Sequence, residues 1–264
     1  LKLDILGHDD PTMIRTLEEY ITSDALENEY NDENPFDATK IPLDDKKVLS
    51  LFHDTSALGI KPEDIDGCNL GCLGIPEFGT DFVIQMVQDA NPQSLSDLIR
   101  ISGLSHGTNV WLGNAQVLIE SGKATISTAI CTRDDIMIYL INQGVDSALS
   151  FTIMESVRKG KGLKPEWEEA MKEKDVPDWY IWSCKQISYM FPKAHAAAYV
   201  MMAYRIAYCK INYPLAYYGA YFGIRANAFS YELMCQGKDK LNYYMKDYKR
   251  RSDSLSNKEQ DVLK

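Results

Sequence analysis

Residues 194–212 form the longest uninterrupted helical pattern in this chain, because they contain neither Gly nor Pro. Pro214 then ends the pattern, since proline has no N–H group to donate within a helix. From residue 46 onward, shorter helical patterns follow one another with brief breaks. Residues 1–6 instead alternate apolar and polar side chains, which is the period of a half-buried strand. The sequence therefore predicts a mainly α fold, formally α+β, with one short N-terminal strand.

Most of the other predicted helices are short. They cover residues 10–20, 44–52, 78–90, 94–102, 114–120, 133–142, 146–157, 165–174 and 177–189. Ser94 is the expected N-cap of its helix, with Asp97 at the third helical position. Residues 105–108 are expected to form a polar turn between two helices. The acidic, Asn-rich residues 21–45 predict an exposed, mobile loop or insertion.

The composition is that of an ordinary globular protein, with 45% hydrophobic and 25% charged residues. The sequence has no run of about 18 apolar residues that would predict a membrane span, and it shows no signal peptide. Six scattered cysteines are typical of reduced, buried thiols, and the close pair Cys68 and Cys72 lacks the further ligands of a zinc site. We therefore expect an internal piece of a larger cytoplasmic protein with no membrane partner.

Charge is segregated along the chain. The net charge is −10, and residues 18–66 alone hold 14 acidic and 4 basic residues. By contrast, residues 179–231 contain no Asp or Glu, and their cations are Lys185, Lys193, Arg205, Lys210 and Arg225. The net charge of the whole chain therefore hides a basic stretch. We expect this stretch to provide a surface that meets phosphate groups.

The N-terminal end of the long predicted helix carries the strongest candidate site. Lys193 and His195 lie where the helix dipole is positive, and His195 shares a face with Tyr199, four residues further on. The alanines between them leave room for a flat base to stack on this face. The alternative is that the histidine is merely exposed and that the tyrosine belongs to the core.

Two further segments have the composition of phosphate-binding loops. In residues 158–162, three cations alternate with two glycines, and the next acidic residue along the chain is Glu166. We therefore expect that these cations are not all paired locally, so that they are available to a polyphosphate. Residues 102–108 place two glycines and three hydroxyl groups around His106, and such a turn can present backbone N–H groups to phosphate. A solvated loop and an ordinary glycine turn are the respective alternatives.

Asp4 is the candidate metal ligand of the N-terminal strand. Lys2 lies on the same face, because strand side chains repeat every second residue. A carboxylate at a strand end suits Mg²⁺, but two-metal phosphoryl transfer needs further bridging acids, so a solvated aspartate is the alternative. The neighbouring His8, Asp9 and Asp10 look like metal ligands, and we interpret them instead as a polar turn that caps the next helix.

Several segments of this sequence resemble, in the same order, PolC-type DNA polymerase III alpha subunits, the C-family replicases of Gram-positive bacteria. Residues 1–12 resemble the end of their palm. The segments that resemble their fingers are residues 74–80, 101–108, 110–115, 133–137, 153–162 and 191–199. The resemblance covers roughly residues 1–230.

The resemblance implies a domain organisation. Residues 1–20 would form the end of the palm, and their strand would complete the palm sheet. Residues 21–45 would be an acidic loop or insertion, residues 46–230 a helical fingers domain, and residues 231–264 the start of a duplex-binding region.

The resemblance also implies roles for individual residues. Asp4 matches a metal-binding palm aspartate, and Lys2 matches the palm lysine beside it. The residues expected near the incoming nucleotide are Lys193, His195, Tyr199, Arg158, Lys159, Lys161, Ser105, His106, Gly107, Arg133 and Arg205. The implied cofactor is Mg²⁺. The implied partners are primer–template DNA, an incoming deoxynucleoside triphosphate and, through parts outside this chain, a sliding clamp and other replisome subunits.

The implied activity is template-directed DNA synthesis. In the family, two further metal-binding aspartates lie upstream in an Asp-x-Asp motif that this chain does not contain, so we expect the chain alone to be inactive. Two alternatives stay open. One is a different nucleotide-using phosphotransferase with its own complete site. The other is a non-catalytic helical module that binds nucleic acid.

Overall fold

The computed structural model describes residues 8–23, 29–226 and 228–263. Within these ranges the chain is mainly α-helical, and its β structure consists of two isolated antiparallel bridges, Asn31–Asn34 and Thr108–Tyr189. The prediction of a mainly α fold is confirmed, whereas the strand predicted at residues 1–6 lies outside the described residues.

The chain divides into two compact units. We call Asp37–Asn212 the central unit, and Leu1–Phe36 together with Tyr213–Lys264 the terminal unit. The α-helices, numbered along the chain, are α1 (Asp10–Thr22), α2 (Lys46–Ser50), α3 (Asp81–Ala90), α4 (Leu95–His106), α5 (Gln116–Glu120), α6 (Arg133–Asn142), α7 (Ser147–Val157), α8 (Pro165–Lys172), α9 (Asp178–Gln186), α10 (Lys193–Asn212), α11 (Pro214–Ile224), α12 (Tyr231–Met234), α13 (Lys238–Arg250) and α14 (Asn257–Leu263). Among the described helices, none combines the length and the apolar character that crossing a membrane requires.

Side-chain caps fix where several helices of the central unit begin. The Ser94 hydroxyl accepts from the N–H of Asp97, as expected, and Asp146 accepts from the N–H of Leu149 at the start of α7. At the start of α6, a carboxylate oxygen of Asp135 accepts from the N–H of Thr132 over 2.8 Å. Each cap satisfies backbone donors that have no partner within their own helix, so these boundaries follow from local sequence.

Helix α10 occupies the middle of the central unit and packs against α2, α4 and α6. Its buried face includes Ala196, Val200, Ala203 and Ala207, whose small side chains let the neighbouring helices approach closely. Tyr204 is also buried, and its hydroxyl donates to the carbonyl of Asp45 over 2.9 Å. The alanines near the start of α10 therefore serve helix packing as well.

Lys210, near the end of α10, is a buried cation that holds a loop by its backbone. Its residue is 4% exposed, and its Nζ donates to the carbonyl oxygens of Gly71 and Leu73 over 2.8 and 2.6 Å. The ammonium satisfies two carbonyls that would otherwise lack partners in the protein interior. Lys210 is therefore a structural residue, and the expectation that it contributes to a phosphate-binding surface is wrong.

Two predicted helix ends are wrong for identifiable reasons. Helix α4 continues through His106, so residues 105 and 106 are helical and not part of a turn. The Ser105 hydroxyl and His106 Nδ1 both bond to the carbonyl of Ser102, within the last turn of the helix. Helix α9 ends at Gln186 and not at Tyr189, because the residues after it turn extended and form the bridge with Thr108.

The acidic segment at residues 21–45 is only partly as predicted. Phe36, Ala38 and Ile41 are each at most 6% exposed, so this part of the segment belongs to packed structure and not to an exposed loop. Asp37 caps a short 3₁₀ turn, Ala38–Lys40, by accepting from the N–H of Thr39. The acidic composition of the segment gave no indication that Phe36, Ala38 and Ile41 are buried.

In the terminal unit, α1 packs against α11. Asp10 is 3% exposed, and its carboxylate accepts from Arg225 Nη1 over 2.8 Å, within the terminal unit. The interpretation of residues 8–10 as a turn that caps α1 is wrong, because the helix has no side-chain hydrogen bond at its N-cap residue, Asp9, and Asp10 instead makes this tertiary ion pair. Pro214 follows the end of α10 as predicted and also begins α11, where a proline costs no hydrogen bond.

We expect Lys210→Met to lower the free energy of unfolding by about 1–3 kcal/mol, because the carbonyls of Gly71 and Leu73 lose their donor. Urea unfolding followed by tryptophan fluorescence measures this change, since all four tryptophans lie in the central unit. The matched control is Lys185→Met. Lys185 is half exposed and pairs with Glu168 at 2.8 Å, so its loss should cost less than about 1 kcal/mol. Equal effects of the two changes would contradict the structural role of Lys210.

The same lysine predicts a pH dependence. Burial lowers the pKa of the Lys210 ammonium from 10.5 to about 8, so between these values the unfolded chain keeps a proton that the folded chain has released. The free energy of unfolding therefore rises with pH between these two values. Below about pH 8 this increase has not yet begun, because Lys210 is protonated in both states. The stability difference between wild type and Lys210→Met should grow by roughly 2 kcal/mol from about pH 7.5 to about pH 9.5. A constant difference would contradict the assignment.

Candidate functional site

The extended segment between α9 and α10, residues 188–192, is where the predicted site motifs meet. The N–H of Thr108 donates to the carbonyl of Tyr189 over 2.9 Å, and the carbonyl of Thr108 accepts from the N–H of Ser188 over 3.1 Å. Asn109 adds a bond from its Nδ2 to the Ser188 hydroxyl at 2.9 Å. These contacts fasten the residues just after α4 to the 188–192 segment.

Two other motifs reach the same segment through backbone hydrogen bonds. The N–H of Met190 donates to the carbonyl of Arg158 over 3.2 Å, which places the basic loop beside it. The N–H of Arg133, the first residue of α6, donates to the carbonyl of Phe191 over 3.1 Å. The structure thus brings together the motifs predicted at residues 105–108, 133, 158–162 and 191–199.

Lys193 begins α10, as expected, and α6 supplies two carboxylates to it. The backbone N–H of Lys193 donates to Asp134 Oδ2 over 2.7 Å, which caps the first turn of α10. Its side-chain Nζ lies 3.2 Å from Asp135 Oδ1, and the lysine side chain is 38% exposed. The other oxygen of Asp135 accepts from the N–H of Thr132 and so caps α6. Lys193 therefore has an anionic partner from a distant part of the chain.

The basic loop is also paired. Arg158 Nε bonds to Glu155 Oε1, Arg158 Nη2 lies 2.8 Å from Glu155 Oε2, and Lys159 Nζ lies 2.8 Å from the same oxygen. The hydrogen bonds of Arg158 and then of Lys159 lower the pKa of Glu155 to about 2. The expectation that these cations lack a local partner is wrong for Arg158 and Lys159, because Glu155 lies one helical turn before them. Lys161 is exposed and has no ion pair within the described ranges.

Four rings form a continuous stack at the start of α10. The ring of His106 stacks on Phe191 at 4.9 Å between centroids, and Phe191 meets His195 edge to face at 4.6 Å. His195 in turn contacts Tyr199 at 4.3 Å, so the prediction that these two residues share a helix face is confirmed. We call His106, Phe191, His195 and Tyr199 the ring stack. It offers flat faces beside the cations of α10 and the basic loop.

Sequence reasoning assigned no role to Glu77, which contacts one end of the ring stack. Its carboxylate accepts from the Ser102 hydroxyl over 3.1 Å and lies 3.4 Å from His106 Nε2. Its backbone has a φ of 69°, a left-handed conformation that costs a side-chain-bearing residue on the order of 1–3 kcal/mol. The available signal was an acidic residue within an otherwise apolar, glycine-flanked turn at residues 74–79.

Among the predicted site residues that the structure describes, Arg205 is not brought into this cluster. Lys2 and Asp4 lie outside the described residues. Arg205 lies twelve positions beyond Lys193 on α10, which is about 18 Å along the helix axis. Its Nε is buried and has no hydrogen-bond partner in the part of the chain that the structure describes.

The described residues alone do not fit a magnesium site. None of the described His, Cys, Asp and Glu side chains form a group of three or more that could hold a metal ion. The carboxylates beside Lys193 and the basic loop, Asp135 and Glu155, are already bonded to backbone N–H groups or to cations. This region therefore combines cations that are paired with carboxylates and a stack of rings beside them.

Comparison with known families identifies the class of this helical chain. A model described as the bacterial DNA polymerase III alpha subunit finger domain matches residues 10–175, which is more than half of the chain. The chain therefore belongs to the family of bacterial DNA polymerase III alpha subunit finger domains.

Individual relatives agree with this membership. The DNA polymerase III PolC-type of Bacillus subtilis (strain 168) is 54% identical over 263 residues, which are 100% of this chain and 17% of that protein. The proteins of the same name from Caldanaerobacter subterraneus subsp. tengcongensis and Staphylococcus aureus (strain MW2) are each 52% identical over 263 residues, covering 18% and 17% of their lengths. The resemblance seen in the sequence motifs is confirmed. The chain spans less than one fifth of the length of these relatives.

Because the basic loop contacts the 188–192 segment, we expect alanine to be less well tolerated at one glycine of the loop than at the other. Gly160 and Gly162 both have left-handed φ values, 69° and 67°. A Cβ on Gly160 would lie 2.6 Å from the carbonyl oxygen of Ser188, whereas one on Gly162 would have nothing within 4 Å.

We therefore expect Gly162→Ala to cost about 1 kcal/mol from backbone strain alone. Gly160→Ala should cost about 1–3 kcal/mol more, because the loop must move away from Ser188. Urea unfolding followed by tryptophan fluorescence measures both. The close packing of the loop against the 188–192 segment would be refuted if the two variants lost equal stability.

Proposed function

We propose that this chain is the fingers segment of a replicative, C-family DNA polymerase and that the start of α10 faces the incoming deoxynucleoside triphosphate. The observation that supports this proposal most directly is the convergence on residues 188–192. Motifs that are spread over 90 positions of sequence, from residue 105 to residue 195, are joined there by backbone hydrogen bonds. A packing role alone does not require that the basic loop, the end of α4 and the start of α10 meet at one place.

In the proposed complex, the triphosphate would contact the cations beside the 188–192 segment. Arg158 and Lys159 reach it from the basic loop, and Lys193 reaches it from the positive end of α10. Lys161, exposed on the same loop, makes no ion pair within the described ranges. Since Glu155 and Asp135 already pair with three of these cations, the triphosphate must replace a carboxylate as their partner. The pairing keeps the cations oriented before the ligand arrives.

The ring stack would position the base and sugar of the nucleotide. Its members present flat, partly exposed faces next to Lys193, and a nucleobase gains free energy by stacking on such faces. Ser105 and Gly107 would lie at the same pocket through the end of α4. Arg133 would contribute through the start of α6.

The remaining parts of the proposal concern residues and partners beyond this surface. Asp4 would supply one ligand of a Mg²⁺ site whose other carboxylates lie in another part of the polymerase, and Lys2 would lie beside it. The complete polymerase would be cytoplasmic and would bind primer–template DNA, with a sliding clamp and other replisome subunits held by other segments. For this chain alone we therefore expect nucleotide positioning without primer extension.

We expect Lys193→Ala in the complete polymerase to raise the KM for nucleotide or to lower kcat, with kcat/KM falling on the order of tenfold. Steady-state primer extension with varied nucleotide concentration measures both constants. The matched control is Lys185→Ala on α9, which removes a cation of similar exposure that pairs with Glu168 and should leave kcat/KM unchanged. An unchanged kcat/KM for Lys193→Ala would contradict the proposed role of Lys193 in binding the nucleotide.

DNA binding and primer extension by the isolated chain distinguish the proposed function from the alternative of a non-catalytic binding module. A module of that kind would bind DNA in a salt-sensitive way, and added nucleotide would not change its affinity. Primer extension by the isolated chain would instead indicate that it holds a complete active site.

A further inference from the structure

We propose that Glu77 is a positioning residue for the nucleotide site, because it fixes the ring of His106 and, through that ring, the start of α10. This inference rests on the proposed function in its last step only.

The backbone at Glu77 has the left-handed conformation that glycine adopts without strain. Glycine is common in the same turn, at positions 74 and 79, so a glycine at 77 would suit the backbone better. A strained residue is retained where its side chain contributes something that glycine cannot supply. In the case of Glu77, that contribution must come from the carboxylate.

The carboxylate of Glu77 is directed into the protein. Its side chain is 11% exposed, and Ser102, which donates to it, is 1% exposed. Oε2 accepts from the Ser102 hydroxyl over 3.1 Å, and the same oxygen lies 3.4 Å from His106 Nε2. One buried carboxylate oxygen therefore contacts two side chains that are one turn apart on α4.

The ring of His106 has a polar neighbour at each of its nitrogens. Nδ1 lies 2.8 Å from the carbonyl oxygen of Ser102, and since a carbonyl only accepts, Nδ1 is the donor in this bond. Nε2 faces Glu77 on the opposite edge. Contacts at two edges of a ring fix its plane, whereas one contact leaves it free to rotate.

The orientation of the His106 ring affects the start of α10 through ring contacts. His106 stacks on Phe191 with an angle of 27° between the rings, and Phe191 meets His195 edge to face. Phe191 is two residues before Lys193, and its carbonyl is held by the N–H of Arg133. Rotation of His106 would therefore displace Phe191 and the residues that follow it. Glu77 acts on the nucleotide site through His106 and not by touching the ligand.

A direct test of the first two steps needs no nucleotide. The chain contains four histidines, His8, His53, His106 and His195, so selective ¹⁵N-histidine labelling gives a small set of ring signals. Glu77→Gln keeps the shape of the side chain and removes its charge. We expect it to shift the ring signals of His106 and His195 and to leave those of His8 and His53 in place. Unchanged His106 signals, or shifts of all four histidines, would overturn the proposal.

Kinetics of the complete polymerase tests the last step. We expect Glu77→Gln and Glu77→Gly each to raise the KM for nucleotide about tenfold, because the residues after Phe191 lose their fixed position. The Gly variant should melt at the same temperature as wild type or higher, since it relieves the strained backbone. Glu166→Gln, an exposed acid on α8, is the matched control and should leave KM unchanged.

The outcomes separate this inference from the proposed function. A purely structural role of Glu77 predicts that both variants melt earlier and that KM for nucleotide stays unchanged, which would overturn the inference. If Lys193→Ala leaves kcat/KM unchanged while Glu77→Gln shifts the His106 and His195 rings, the proposed function fails and the link from Glu77 to α10 stands. If the rings do not shift while Lys193→Ala lowers kcat/KM, the link from Glu77 to α10 fails and the proposed function stands.

Discussion

The candidate site depends on how the backbone of residues 188–192 satisfies its polar groups. An extended segment between two helices has no helical hydrogen bonds of its own, and N–H and carbonyl groups inside a protein need partners. Here the partners are backbone groups of Thr108, Arg158 and Arg133, which belong to three separate elements. The position of each element is thereby tied to the start of α10, which follows directly. These bonds add to the packing of α10 against α4 and α6 and hold the cations and rings near Lys193 in one arrangement.

Features with a local cause could be predicted from the sequence. Helix α6 has the predicted bounds, the predicted cap at Ser94 is present, and α10 begins within one residue of its predicted start. Each follows from side chains within one helical turn of the boundary. The pairing of Glu155 with Arg158 and Lys159 was also within reach, because its spacing of three and four residues is the ordinary spacing of helical ion pairs.

Features with a tertiary cause could not be predicted in the same way. Lys193 and Asp135 are 58 positions apart, and nothing in either segment indicates the other. The early end of α9 depends on its bridge to Thr108, and the burial of Phe36 and of Ile41 depends on packing partners that the surrounding acidic composition does not reveal. The basic stretch at residues 179–231 was misleading for the same reason. A window without acidic residues says nothing about carboxylates and carbonyls that other parts of the chain bring to its cations.

The carboxylates beside Lys193, Arg158 and Lys159 have a consequence for selectivity. A surface of unpaired cations attracts any anion, and its affinity falls steeply as salt is added. A surface whose cations are already engaged works by exchange, because an arriving anion gains only the difference between its own contacts and those of Asp135 or Glu155. Chloride or a single phosphate gains little from such an exchange. A ligand with several linked phosphates gains more binding free energy, because it contacts several of the cations at once. Under the proposed function, these acids therefore disfavour the binding of anions that make fewer contacts.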